Sequence, residues 1–316
     1  TQQEKLNNQV AELDVATSEN SIQESIAQIY IQILYAAESV RVNENTLQVS
    51  IAQRDRGQEL LNAGSIAKSD FAQLEAQVST DRYQLVTAQA TLQDYKLQLK
   101  QLLELDGENE MNIYLPALSD ENVLSPLPAK RDVYVSALAL RPEIEASKLN
   151  VNASELGIDI AKSGYLPTVS LSAGIGTNHT SGSDFTFGEQ VKNGWNNSIG
   201  LSVSVPIFNN RQTKSAVQKA KLQYETSMLS LLDEQKALYK TIEGLWLDAN
   251  SAQQRYAAAN EKLKSTQISY NLISEQFNLG MKNTVELLTE KNNLLQAQQE
   301  QLQAKYMAIL NTQLLK

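Results

Sequence analysis

The sequence from residue 168 to residue 176 reads Thr168-Val169-Ser170-Leu171-Ser172-Ala173-Gly174-Ile175-Gly176: odd positions are apolar and even positions are Ser, Thr or Gly. The same alternation returns in Ser198-Ile199-Gly200-Leu201-Ser202-Val203-Ser204-Val205. A period of two predicts β-strands with one apolar and one polar face. Residues 177–194 are rich in Gly, Ser, Asn and Asp, so we expect a long exposed connection between the strands.

Helices are predicted on both sides of this hairpin. The chain has only six prolines, and all of them lie between Pro116 and Pro206, so residues 1–115 and 207–316 lack the strongest helix breaker. A continuous helix from residue 209 to 278 would extend roughly 105 Å at ~1.5 Å per residue. That length is several times the ~30 Å hydrocarbon core of a bilayer, so such a helix would span a compartment.

An internal repeat organises these helices. Residues 60–70 (Leu-Leu-Asn-Ala-Gly-Ser-Ile-Ala-Lys-Ser-Asp) match residues 276–286 (Gln-Phe-Asn-Leu-Gly-Met-Lys-Asn-Thr-Val-Glu) at an offset of 216. Apolar and aromatic positions agree at this offset over about 60 residues. Each repeat therefore predicts helix, tight turn, helix, with Gly64 and Gly280 in the left-handed conformation. The start signals that follow are Ser69-Asp70 and Asn283-Thr284-Val285-Glu286.

The hairpin requires a surface to pack against, because two strands alone are marginally stable. It could lie on a water-soluble core, or it could join a transmembrane barrel with its apolar face toward lipid. Helices far longer than a soluble core needs favour the barrel. One hairpin cannot close a barrel, so several chains must share it. The predicted lipid-facing residues are Val169, Leu171, Ala173, Ile175, Ile199, Leu201, Val203 and Val205.

Several classes of function are disfavoured by composition. A formal charge of −9 disfavours a nucleic-acid partner, and the absence of cysteine removes disulfides and thiolate metal sites. The single histidine, His179, lies in the predicted loop, so we expect no enzymatic activity, metal site or cofactor. No apolar run approaches the ~20 residues that a membrane helix needs.

Several motifs resemble those of the TolC family of outer-membrane efflux proteins. They are the helix start at residues 141–146, the strand entry at 164–171, the strand exit at 205–209 and the two glycine turns. The resemblance implies a mainly α fold, in which long antiparallel helical hairpins form an α-barrel wall and the β-hairpin contributes to a trimeric transmembrane β-barrel.

The domain organisation follows from the same resemblance and the repeat. Residues 1–104 would form the first helical hairpin with its tip at 63–69, and 105–130 an equatorial segment. Residues 131–165 would form a helix leading to the barrel, 166–208 the outer-membrane hairpin, and 209–316 the second helical hairpin with its tip at 279–285. The repeat also predicts a first helix and a first β-hairpin ahead of residue 1.

The resemblance implies a passive exit duct in the outer membrane of a Gram-negative bacterium, with most of the chain in the periplasm. A homotrimer would meet a periplasmic adaptor and an inner-membrane pump at its helical tips, and outer-membrane lipid at its strands. The tip residues that match the family's adaptor contacts are Ala63, Gly64, Ser65, Leu279, Gly280 and Met281.

The family narrows its periplasmic mouth with acidic side chains and inter-helix polar links. Here the acid maps onto Glu286, whereas Thr289 stands where a second acid is common. Asp70, Ser69 and Lys282 match the polar links, and Phe277 replaces a tyrosine, so one hydrogen bond should be absent. Three Glu286 carboxylates would favour cations. Asp70 and Glu286 could instead be first-turn acids that complement the helix dipole.

Two other functions would explain parts of this pattern. A scaffolding helical protein of the cell envelope would need the helices but not the strict alternation in both strands. A helical pore-forming toxin would need a long apolar segment that the sequence lacks. The duct explains the helices and the strands together.

Overall fold

A computed structural model of the chain describes residues 2–105, 113–114, 123–182 and 184–315. The helices are α1 (Gln2–Asn62), α2 (Lys68–Leu102), α3 (Lys130–Leu140), α4 (Pro142–Ser163), α5 (Phe187–Asn193), α6 (Gln212–Asn278) and α7 (Thr284–Leu314). Two strands, β1 (Thr168–Gly176) and β2 (Asn196–Ser204), form an antiparallel pair. The predicted class, long helices with a small β-hairpin, is confirmed. None of the described helices combines the length and apolar character needed to cross a membrane.

The predicted repeat is present in the ends of the helices. α1 and α6 end at Asn62 and Asn278, and α2 and α7 begin at Lys68 and Thr284, both 216 residues apart. The turns have the same conformation, because Gly64 and Gly280 have φ values of 71° and 74°.

Both turns close with the Schellman pattern of hydrogen bonds. The backbone N–H of Ser65 donates to Leu60 O at 2.8 Å, and that of Met281 donates to Gln276 O at 2.8 Å. A residue with a Cβ would be strained at the left-handed position, so glycine is what lets each helix stop and reverse here.

The β-hairpin separates its two faces as the alternation predicted. Its register pairs Val169 with Val203, Leu171 with Leu201 and Ala173 with Ile199, so the apolar side chains share one face. That face is exposed: Leu171 retains 75% and Ile199 83% of its accessible surface. The hairpin therefore does not lie on a core formed by the described residues of this chain.

Val205, predicted as a strand residue, lies one position beyond β2. The register places it opposite Pro167, which has no N–H to donate to a ladder. The same register extends β2 at its other end, to Asn196.

The connection between the strands is largely exposed, as predicted, but it contains a short helix that was not predicted from the sequence. α5 begins with a capping box, in which Glu189 N–H donates to Thr186 Oγ1 at 3.4 Å and Thr186 N–H donates to Glu189 Oε2 at 2.9 Å. The Thr-x-x-Glu spacing was a readable signal of this start. His179 lies in this connection, with its ring 5.2 Å from that of Phe187.

The stretch expected as one helix between residues 131 and 165 contains two helices, α3 and α4. Arg141 lies between them in an extended conformation (φ −72°, ψ 121°), which is the conformation that a following proline favours. Most of the expected equatorial segment, 105–130, lies outside the described residues. Its described end is held by Trp246, whose Nε1–H donates to Pro128 O at 3.0 Å, and by Gln253, which donates to Val123 O and Ser125 O.

The chain divides into two compact units. The first comprises Thr1–Asp14 and Pro142–Glu234, and includes the β-hairpin; here Thr213 Oγ1–H at the start of α6 donates to Gly164 O at 3.3 Å. The second comprises Val15–Arg141 and Gln235–Lys316, and includes both glycine turns. Its core is a series of small clusters, such as Leu34 with Leu302 and Tyr306. Buried polar residues stand between these clusters in α1, α2 and α7, for example Asn43, Asp81 and Lys291.

Two glycines inside helices provide a matched test of packing. A Cβ on Gly57 of α1 would lie 2.3 Å from Leu74 Cδ1 of α2, a buried side chain, whereas a Cβ on Gly244 of α6 would meet nothing within 4 Å. We expect Gly244→Ala to stabilise the protein by about 0.5–1 kcal/mol through helix propensity. Gly57→Ala should lower stability, because overpacking costs about 1–3 kcal/mol. The thermal midpoints of the two variants measure this, and an equal rise in both would contradict the close approach.

Candidate functional site

The two turns present exposed apolar side chains. Leu279 and Met281 retain 75% and 70% of their accessible surface, and Ala63 and Ser65 flank Gly64 in the other turn as exposed residues. Because the left-handed glycines reverse the chain in so few residues, the neighbouring side chains point away from the helices. Both turns are therefore accessible, and the turn at Gly280 carries two large apolar side chains, Leu279 and Met281.

Glu286 makes hydrogen bonds with both of its carboxylate oxygens. Lys282 Nζ donates to Oε1 at 2.6 Å, and the backbone N–H of Asn283 donates to Oε2 at 3.2 Å. In return, Glu286 N–H donates to Asn283 Oδ1 at 2.9 Å, which completes a capping box at the start of α7. The hydrogen bonds from Lys282 and Asn283 lower the pKa of Glu286, so this carboxyl is ionised at neutral pH.

Asp70 occupies the equivalent place at the start of α2. Its Oδ2 accepts from the backbone N–H of Ala67 at 3.3 Å, as Glu286 accepts from Asn283. The N-cap of α2 is Ala67, so Ser69 is inside the helix and exposed, and is not the cap that the sequence suggested. The described contacts of Asp70 and Lys282 thus stay within their own turns. Asp70 and Glu286 both act at the start of a helix, the alternative role given to them from the sequence.

The two remaining mouth candidates differ in burial. Phe277 is buried in the last turn of α6, where an aromatic ring without a hydroxyl supplies packing and no hydrogen bond. Thr289 is exposed, and its Oγ1–H donates to Val285 O of the preceding turn at 2.7 Å. Thr289 therefore contributes no charge beside Glu286.

A buried polar cluster, which the sequence analysis missed, joins three helices of the second unit. Lys291 Nζ of α7 donates to Asp81 Oδ2 of α2 and to Ser50 Oγ of α1, and Ser50 Oγ–H also donates to Asp81 Oδ2. The side chains of Lys291 and Asp81 are only 3% and 2% exposed. Gln77 Nε2 donates to the other carboxylate oxygen of Asp81 at 2.9 Å.

Helical spacing contained a signal for this cluster. Lys291 interrupts the buried series Leu287, Leu294 and Ala297, and Asp81 continues the buried series Leu74 and Val78. A charged residue at a core position of a 3.6-residue period indicates a buried partner of opposite charge. The repeat could not reveal it, because residues 75 and 297, at the equivalent positions, are Glu75 and Ala297.

The part of the chain that the structure describes contains no candidate metal site. No group of three or more His, Asp or Glu side chains is placed there to hold a metal ion. Carboxylates of the described residues instead form ion pairs, such as Lys282–Glu286 and Arg56–Glu59.

Comparison with known proteins gives a family for this architecture. Residues 133–315 match the family model of the outer membrane efflux protein. Among curated proteins, the chain is 25% identical over 290 residues to the outer membrane efflux protein BepC of Brucella suis, covering 91% of this chain and 60% of that protein. It is also 25% identical over 315 residues to the outer membrane protein TolC of Escherichia coli, covering 96% and 62%.

A solved structure has the same fold over almost the whole chain. The outer membrane protein VceC of Vibrio cholerae superposes with a TM-score of 0.76 at 17% sequence identity, covering 98% of this chain and 72% of that one. The chain spans about three fifths of the length of the curated relatives that it matches.

Proposed function

Because the chain belongs to the outer membrane efflux protein family, we propose that it is a subunit of a homotrimeric outer-membrane channel that conducts substrates passively outward. The observation that carries this proposal is the exposed apolar face of the β1–β2 hairpin. In this proposal most of the chain lies in the periplasm of a Gram-negative bacterium, and an adaptor and an inner-membrane pump meet the channel at the helical turns.

The hairpin has the size and pattern of a pair of membrane strands. β1 and β2 have nine residues each, close to the ~9–11 that a tilted transmembrane strand needs. One face carries Val, Leu, Ala and Ile, with Asn197 at its end, and the other carries Ser, Thr, Gly and Asn196. An exposed apolar sheet face of this kind is unfavourable in water and favourable against lipid chains. Hairpins from other subunits would cover the two open strand edges.

The turns suit a protein partner. Leu279 and Met281 present large apolar groups beside a rigid turn, and flexible methionine side chains adapt to varied partner surfaces. We therefore assign the turns, at Ala63, Gly64, Ser65, Leu279, Gly280 and Met281, to adaptor contact. In this proposal the turns contact the adaptor, and the long helices on either side of them form the wall of the duct.

The charge at the mouth is balanced within each subunit. Glu286 is the acid that we place at the aperture, and Lys282 lies on the same turn with its ammonium 2.6 Å from the carboxylate. A ring of three such pairs would have no net charge, although three carboxylates alone would favour cations. Lys282 therefore sets how strongly the mouth prefers cations.

Membrane insertion is tested by arginine on the two faces of β2. Leu201→Arg places a charge on the proposed lipid face and should cost roughly 2–4 kcal/mol, which reduces the amount of trimer in outer-membrane fractions. Ser202→Arg, on the opposite face, should leave that amount near the wild-type level. The readout is detergent-extracted trimer of the full-length protein. Equal effects of the two substitutions, or a detergent-free monomer in the wild type, would reject the membrane hairpin.

Ion selectivity tests the assignment of the mouth. In planar bilayers, Lys282→Met should raise the preference for cations, because it leaves three unbalanced carboxylates, and Glu286→Gln should lower it. The control is Lys262→Met, which breaks the 2.6 Å ion pair with Glu300 between α6 and α7 away from the turn. Reversal potentials in a salt gradient report the result. Unchanged potentials in both mouth variants would remove Glu286 and Lys282 from the aperture.

Adaptor contact is tested at Met281. Met281→Ser removes an exposed apolar group from the turn and should weaken adaptor binding roughly tenfold, about 1.4 kcal/mol. Met228→Ser makes the same change at a half-exposed methionine of α6, far along the sequence from the turn. Binding of the co-purifying adaptor to each variant, immobilised in detergent, gives the comparison. Equal affinities would place the adaptor surface elsewhere.

A further inference from the structure

We infer that the buried cluster of Ser50, Asp81 and Lys291 is a pivot that fixes the rotation and register of α7 against α1 and α2, and thereby positions Glu286 and Lys282 at the closed mouth. This inference rests on the proposed channel function. It assigns a positioning role to residues that do not touch the conducted substrate.

The connectivity of the cluster is the first support. Its three side chains come from α1, α2 and α7, so both helical repeats contribute to it. A second hydrogen bond lies about one helical turn from Ser50. In it, Gln53 Nε2 of α1 donates to Tyr270 OH of α6 at 2.8 Å. One polar layer therefore connects all four long helices of the second unit.

The position of Lys291 links this layer to the mouth. Lys291 follows Glu286 by five residues on α7, about 7.5 Å along the helix axis. A helix transmits rotation over such a distance, because its backbone hydrogen bonds hold successive turns rigidly together. Rotation of α7 about its axis would break the contacts of Lys291 with Asp81 and Ser50. While those contacts persist, the direction in which Glu286 points is fixed.

The chemistry of the cluster favours a positioning role. Apolar contacts are non-directional and let helices slide, whereas a buried ion pair holds only one register. Burial lowers the pKa of Lys291 and the hydrogen bond with Asp81 opposes that shift, so the charged pair has to overcome its own desolvation. An apolar pair would avoid that desolvation, and positioning gives a reason to keep the charges.

The test is a double substitution to apolar residues, Asp81→Leu with Lys291→Met, in the full-length protein. Because an apolar pair of similar size is tolerated where a lone buried charge is not, this variant should still form trimers. Without the pivot, α7 can rotate, so we expect the conductance of the channel without adaptor to rise several-fold in planar bilayers. The matched control, Lys262→Met with Glu300→Leu, removes a half-exposed ion pair and should keep wild-type conductance.

A rescue experiment separates positioning from a general loss of structure. Gln77 Nε2 lies 3.5 Å from Asn292 Oδ1, beside the cluster, and the chain contains no natural cysteine. Gln77→Cys with Asn292→Cys, joined by a short reducible bifunctional reagent, should restore low conductance to the Asp81→Leu, Lys291→Met variant. Reduction of the linker should raise the conductance again.

The possible outcomes distinguish this inference from the proposed function. A wild-type protein that forms no channel would reject the channel itself. A conducting wild type with a double variant of equal conductance would reject only the pivot. A double variant that fails to assemble, while the control assembles, would also reject it, because the cluster would then be needed for folding.

Discussion

The apolar face of the β1–β2 hairpin needs a cover that the described residues of this chain do not supply. Its large side chains are exposed, although folding normally removes such groups from water. A two-stranded sheet does not compensate for this exposure by its own hydrogen bonds. The hairpin is therefore stable only where an apolar surrounding and further strands complete it, and the proposed membrane barrel supplies both.

The helices show the same dependence in a milder form. Their buried residues form small clusters, and between these clusters polar side chains occupy core positions. Large apolar residues such as Tyr83 and Val86 of α2 remain exposed. A wall of helices that packs on neighbours at both sides has this composition, because each helix needs two narrow apolar stripes and leaves its other surfaces wet.

Charge in this protein is arranged in pairs with different exposure. The Lys282–Glu286 pair lies partly exposed at a turn, where solvent screens it and a partner can replace it. The Lys291–Asp81 pair is buried, where breaking it leaves an uncompensated charge. An exposed pair can rearrange when a partner binds, and a buried pair resists rearrangement. Glu286 and Lys291, five residues apart on α7, therefore belong to an exposed pair and a buried pair respectively.

Local features of the sequence determined most of the architecture. The two-residue period predicted both ends of β1, Thr168 and Gly176. The glycine turns predicted where α1 and α6 end, and the repeat predicted that α1 and α2 correspond to α6 and α7. These signals were readable because each depends on neighbours within a few residues: pleat, left-handed backbone and helical period. The capping box of α5 was overlooked, and the helix start recognised at residues 141–146 was not used to separate α3 from α4.

Only the tertiary structure decided which polar residues meet. Asp81, Ser50 and Lys291 are separated by 31 to 241 residues, and no local rule pairs them. The Lys282–Glu286 pair, in contrast, joins residues only four positions apart, although the sequence had suggested an inter-helix link for Lys282 and an aperture role for Glu286. A side chain's partner depends on how helices approach and rotate against each other. That arrangement arises from the packing of the whole unit, so the sequence fixes the elements locally and the fold selects their contacts.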